Sequence, residues 1–113
     1  MPYINVKTNS KLVSTCADEL KSELGRAITA IPGKSEAWLM INIDEPGKMY
    51  FKGDGADCAM FEVSSFGSAS DSAYDELTKR LCDISQKYLG VSPDRTYVKY
   101  TEIDHWGYNG FNF

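Results

Sequence analysis

Cysteine is scarce in this chain: three residues, Cys16, Cys58 and Cys82, among 113. They are too few and too irregularly spaced for a disulfide framework, and no C-x-x-C pair is present to make a redox motif or a zinc knuckle. They read as small apolar packing residues in a reducing, cytoplasmic setting. Histidine is scarcer still. The single His105 has no second ligand spaced for a metal, so no role is expected of it and no metal site is encoded. Nor is there an apolar run long enough for a transmembrane helix. The opening residues Met1 to Val6 have neither the basic region nor the apolar stretch of a secretory signal. Positive charge is also short: 12 Lys and Arg stand against 16 Asp and Glu, for a net charge of −4 and a pI near 4.9. The basic residues are scattered rather than striped, which argues against nucleic acid or an anionic membrane as partner.

What is present is ordinary globular material, 42% hydrophobic and 25% charged, of a length that suits one domain over residues 1–113. Tyr3 to Thr8 alternates as a strand, with Ile4 and Val6 on one face and Tyr3, Asn5 and Lys7 on the other. From Val13 through Cys16, Leu20, Leu24 and Ile28 to Ile31, apolar residues recur at helical spacing, with Ser14 or the Asn9–Ser10 pair as cap. Pro32-Gly33 ends that helix, and Ala37 to Asp44 reads as a second strand. After a polar, glycine-rich stretch the pattern restarts. Cys58 to Ser65 is a strand, Asp71 or Ser72 caps a second helix, and its apolar stripe runs from Tyr74 to Leu89. Gly90 closes that helix, and Tyr97 to Ile103 is the last long strand.

The order is β-α-β twice, with pseudo-repeats at 2–57 and 58–113. At a shift of about 57 positions Leu20 overlies Leu77 and Leu24 overlies Leu81. Each helix joins two parallel strands, which predicts an α+β fold: a four-stranded sheet with two helices on one face. Trp38, Met40 and Met60 lie on the strand face opposite Leu39, Ile41, Phe61 and Val63. The uncovered face is therefore expected to be an apolar patch, and burial against further copies of the chain is the cheaper arrangement.

Six local signals then converge on one family. Met1-Pro2 leads directly into a strand, and Gly33-Lys34 closes the first helix. Met49-Tyr50-Phe51-Lys52-Gly53 resembles an M-x-F-x-G segment, Ser65-Phe66-Gly67 an S-I-G turn, and Ser92 to Tyr97 an S-P-D-R-x-Y motif. Trp106 to Asn109, with Phe113, resembles a G-W-N-x-x-x-F ending. In that order across the whole chain, these resemble the macrophage migration inhibitory factor family of the tautomerase superfamily. The resemblance implies a homotrimer whose three sheets form a barrel with the helices outside. Its active sites lie at subunit interfaces, each built around an amino-terminal proline.

The activity so implied is keto–enol tautomerisation of an aromatic α-keto acid such as phenylpyruvate, or of dopachrome, without cofactor or metal. Pro2 is the catalytic residue, its nitrogen freed by removal of Met1; while Met1 is attached that nitrogen is an amide and no base. An ordinary α-amine, with a pKa of ~7.7–8.0, is mostly protonated at neutral pH. An apolar wall of Trp38, Trp106, Tyr108 and Phe113, with Lys34 as a nearby cation, would lower it. By resemblance Lys34 and the backbone N–H of Phe66, next to Ser65, hold the substrate's oxygens, and Tyr97 enters from a neighbouring subunit. Lys99 stands where the family often has asparagine, placing a second ammonium by the pocket. Phe61 replaces the second cysteine of the family's C-x-x-C, so thiol–disulfide activity is not expected. A second reading is a cytokine-like protein, released by a non-classical route and acting on a protein receptor. A third is hydration or dehalogenation of an unsaturated acid. It is disfavoured because Arg26, Arg80 and Arg95 fall on helices or a turn.

Overall fold

A computed structural model describes residues 1–113 and places them in one sheet with two helices on one face. Strand β1 (Pro2–Thr8) leads through a 3-10 turn, Lys11–Ser14, into helix α1 (Ala17–Ala27). Strand β2 (Met40–Ile43) follows, then β3 (Ala59–Phe66), helix α2 (Asp71–Ile84) and β4 (Thr96–Ile103). A short hairpin, β5 (Gly107–Tyr108) and β6 (Phe111–Asn112), closes the chain. The sheet order is β2-β1-β3-β4, with β1 parallel to β2, β3 parallel to β4, and β1 antiparallel to β3. The two β-α-β units thus meet back to back along β1 and β3. No helix is long and apolar enough to cross a membrane.

The core lies between sheet and helices. Ile4 and Val6 of β1 and Phe61 and Val63 of β3 meet Leu20 and Leu24 of α1 and Leu77 and Leu81 of α2, all with at most 2% of their surface exposed. Leu81 and its neighbours recur at helical steps and the strand residues at every second position, so both periodicities project onto one core. At the edge of the layer the Tyr74 hydroxyl donates to Glu102 at 2.7 Å, tying α2 to β4. Burial, and then that bond to a carboxylate, pushes the Tyr74 phenol up to about 12.

Several boundaries differ from the sequence reading. The first helix is not continuous: α1 is flanked by 3-10 turns at Lys11–Ser14 and Ile28–Ala30. Ser10 caps the leading turn, while α1 itself starts at Cys16 without a side-chain cap. Helix α2 is capped by Ser70, whose hydroxyl accepts from the Ala73 N–H at 3.2 Å, one residue before the expected Asp71. Its last turn widens into a π-turn over Ser85–Leu89 before Gly90. Glu36–Trp38 forms a 3-10 turn rather than the start of β2, which turns Trp38 out to the surface.

The uncovered face of the sheet is also not the apolar patch expected. Its middle row is polar, because Asn42, Asn5, Glu62 and Lys99 stand directly opposite one another across the four strands. Asn42 donates to Asn5 at 2.6 Å, Asn5 to Glu62 at 3.1 Å, and Lys99 lies 3.1 Å from the other Glu62 oxygen. Apolar side chains keep to the two ends of this face: Tyr3 and Met40 at one, Met60 and Tyr97 at the other.

Candidate active site

Because β1 begins at the second residue, strand pairing holds the amino terminus in place. Pro2 stands opposite Ser65, and the Phe66 N–H donates to the Met1 carbonyl at 3.1 Å. Proline is tolerated at a strand's first position, where the missing N–H costs little of the ladder. Pro2 is buried, and with Met1 it lines a cleft of about 720 Å³. Trp38, Met40, Ile103 and Trp106 make most of its wall apolar, while Ser64 and His105 add polar groups.

Lys34 supplies the nearby cation. Gly33, with a φ of 81°, lets the chain leave the preceding helical turn, and the Lys34 ammonium donates to the Phe66 carbonyl at 3.0 Å. The Met1 α-amine beside it is lowered from 8.0 to about 6. Burial, which removes water from the charged form, is the largest cause; a hydrogen bond to Lys34 and the repulsion of its charge add to it. That shift is of the Met1 amine; the Pro2 nitrogen, one residue further in, is an amide while Met1 is attached.

The tail brings the aromatic wall. Asn109 and Gly110, with φ of 53° and 88°, form the two-residue turn that right-twisted strands favour, and it folds β6 back on β5. Tyr108 then meets Trp38 edge-on, with ring centroids 5.3 Å apart. Phe113 stacks parallel to Tyr108 at 6.4 Å and leans on Phe66 at 5.8 Å. The Phe113 N–H donates to the Trp106 carbonyl at 2.9 Å, which anchors the last residue.

Of the residues singled out in the sequence, Pro2, Lys34, Phe66, Trp106, Tyr108 and Phe113 come together at this end of the sheet. Ser65 stands opposite Pro2 in the ladder without lining the cleft. It is buried, and the serine on the cleft is Ser64. Tyr97 and Lys99 also lie elsewhere within one chain. Ser65 pairs with Glu102, and Tyr97 lies earlier on β4, roughly 16 Å down the strand at ~3.3 Å per residue. Lys99 lies outside its own chain's cleft, and its ammonium pairs with Glu62 in the open-face row. Asn5 first and then Lys99 hold the Glu62 carboxyl below its usual range. The cleft also includes residues to which no role was given, His105, Tyr3, Met40 and Ser64. Three of these could have been read from pairing, since Tyr3 stands opposite both Met40 and Ser64 on one face. His105 had no such signal beyond its place next to Trp106.

A four-stranded mixed sheet with two helices on one face and a first strand starting at Pro2 defines an α+β protein of the tautomerase fold. The solved structures agree. MIF2 of Leishmania major superposes with a TM-score of 0.91 at 27% identity, over 100% of this chain and 97% of that one. Macrophage migration inhibitory factor of Toxoplasma gondii gives 0.89 at 23%, over 98% and 99%, and so adds evidence for the fold alone. The family model for macrophage migration inhibitory factor (MIF) matches residues 1–113. Macrophage migration inhibitory factor of Xenopus laevis is 31% identical, covering 100% of this chain and 99% of its own length. The chain belongs to the macrophage migration inhibitory factor family.

Proposed function

We propose that the protein is a keto–enol tautomerase acting on small aromatic α-keto acids of the phenylpyruvate type, with the Pro2 nitrogen as acid–base catalyst once Met1 is removed. The observation that carries this reading is the setting of the amino terminus. Met1 and Pro2 line an apolar cleft, and the Met1 α-amine there, beside the Lys34 ammonium, is lowered to about 6. A Pro2 amine freed by loss of Met1 would meet the same burial and the same cation; unprotonated at neutral pH, it would accept the enol hydroxyl proton, and the same nitrogen would then return a proton to the adjacent carbon.

The Met1 carbonyl occupies the Phe66 N–H, and the Lys34 ammonium lies against the α-amine. Removing Met1 frees the Phe66 N–H and leaves the Lys34 ammonium close to the new proline amine, where the substrate carboxylate and enolate oxygen would sit. Charge that builds on oxygen during proton transfer would then meet a preset N–H and a cation rather than water. The apolar wall of Trp38, Trp106 and Tyr108 suits an aromatic side chain on the substrate. Tyr97 would complete the site from a second subunit of a homotrimer.

The test is the rate of phenylpyruvate enol-to-keto conversion by protein whose mass shows loss of Met1, beside Pro2→Gly. A fall of about a hundredfold or more is expected in the variant, in line with the loss of a positioned acid–base group. Equal rates for the two proteins would exclude Pro2 as the base. Absence of turnover by the Met1-free protein would favour a receptor-binding role instead.

A further inference from the structure

Between β2 and β3 the chain runs from Asp44 to Cys58 with almost no ladder of its own. Its one bridge is Phe51 with Asp54, closed by Lys52 and Gly53 at φ of 53° and 80°. Such a loop would be loosely held, yet two side chains pin it. Asn9 donates to the carbonyls of Met49, Gly55 and Ala56 at 3.1–3.3 Å. Arg95, from the turn before β4, does more. Its Nε donates to the Asp57 carbonyl at 2.9 Å, and Nη2 to the Ala56 carbonyl at 3.0 Å and to Asp54 Oδ1 at 2.9 Å. The Phe51 carbonyl also lies within 3.4 Å of Nη2.

This guanidinium is not a solvated surface charge, for only 19% of its side chain is exposed. Its Cζ also lies over the Phe51 ring, 5.2 Å from the centroid, with the Lys52 ammonium 5.5 Å from the same ring. Phe51 in turn meets the Tyr97 ring edge-on at 5.0 Å. Tyr97 is 58% exposed and has no other ring partner, so its orientation is set from this side. The fork of donors on arginine suits several carbonyls at once, which neither lysine nor glutamine reproduces.

We infer that Arg95 is a positioning residue: by clamping the Met49–Asp57 loop it holds Phe51 against Tyr97, and so fixes the tyrosine that a subunit presents to its neighbour's Pro2. This rests on the proposed tautomerase site. Arg95 acts on the reaction only through Phe51 and Tyr97, so its removal matters only where Tyr97 has its hydroxyl.

The experiment combines Arg95→Gln, Phe51→Leu and Tyr97→Phe, singly and with Arg95→Gln in the Tyr97→Phe background, on protein of confirmed assembly. Ring-labelled tyrosine resonances are recorded alongside phenylpyruvate turnover. In Arg95→Gln and Phe51→Leu the Tyr97 resonance is expected to move, while tyrosines remote from the loop keep their positions. kcat/KM falls about tenfold in each, with the KM-against-kcat split that Tyr97→Phe shows. In the Tyr97→Phe background Arg95→Gln costs less than about twofold. An unmoved Tyr97 resonance overturns the inference whatever the activity, and so does a loss of the same size in both backgrounds. If wild type shows no Pro2-dependent turnover, the tautomerase reading fails and the catalytic role of Arg95 falls with it. That outcome is distinct from one where wild type is active and Arg95→Gln leaves Tyr97 in place.

Discussion

Lys34 has two tasks at the amino terminus, and they separate by measurement. Burial, with the Lys34 ammonium beside it, lowers the Met1 α-amine to about 6, and in the proposed reaction the same ammonium would meet the substrate carboxylate. Lys34→Ala removes a positive neighbour, which favours the protonated amine, so the amine's pKa is expected to rise. The limb of the pH–rate profile that reports the free base then moves to higher pH. Loss of a charge-assisted contact of ~1.5–3 kcal/mol lowers kcat/KM by roughly 10- to 100-fold. A profile that stays in place while the rate falls would assign Lys34 to binding alone. Lys99 behaves differently, because Glu62 already neutralises it. Lys99→Asn is expected to leave the pH profile unshifted. Pro2, Lys34 and Phe66 were legible in the sequence since each belongs to a short local motif. The partner of Lys99 was not: Glu62 is 37 positions away, and only strand register brings the two side by side.

At the level of elements, hydrophobic period located every main strand and both helices, whereas boundaries followed finer chemistry. Leu77, Leu81 and Ile84 are buried as their spacing required. Leu81→Ala, which empties a fully buried site facing the sheet, is expected to cost about 2–5 kcal/mol in denaturant unfolding. A cost below ~1 kcal/mol would mean the core closes around the gap. Ser70→Ala removes the hydroxyl that receives the Ala73 N–H, for a loss of about 1 kcal/mol. Asp71→Ala, at one of the two cap positions read from the sequence, leaves that bond intact. Trp38 was misread as strand because an apolar run does not show where a 3-10 turn ends and a strand begins. The structural consequence is functional, since the turn delivers Trp38 to Tyr108 at the cleft.

The whole molecule is two β-α-β units joined along antiparallel β1 and β3, with a polar row across the middle of its open face. Parallel pairing within each unit was legible, because a helix between two strands leaves few alternatives. The polar row was not, because it emerges only when four strands are set in register. It leaves the argument for further copies resting on the ends of the face, where Met40 and Tyr97 are 68% and 58% exposed. Tyr97 lies far from its own chain's Pro2, so a site needing both takes them from different subunits. Subunit mixing tests this. Pro2→Gly and Tyr97→Phe proteins, each impaired alone, are expected to regain activity when unfolded and refolded together. Random assembly restores roughly a quarter of the sites. No gain on mixing would place the whole site within one chain, or leave Tyr97 outside it.

In the proposed mechanism the chain presents a proline amine that is unprotonated at neutral pH. The most direct measurement is a pH titration of the Pro2 ¹⁵N resonance in protein labelled at proline. A single titration with its midpoint below the ordinary amine range of ~7.7–8.0 is the result expected. A midpoint within or above that range would leave the nitrogen protonated at neutral pH. An amide resonance that does not titrate would mean Met1 is still attached. Either would contradict Pro2 as the base.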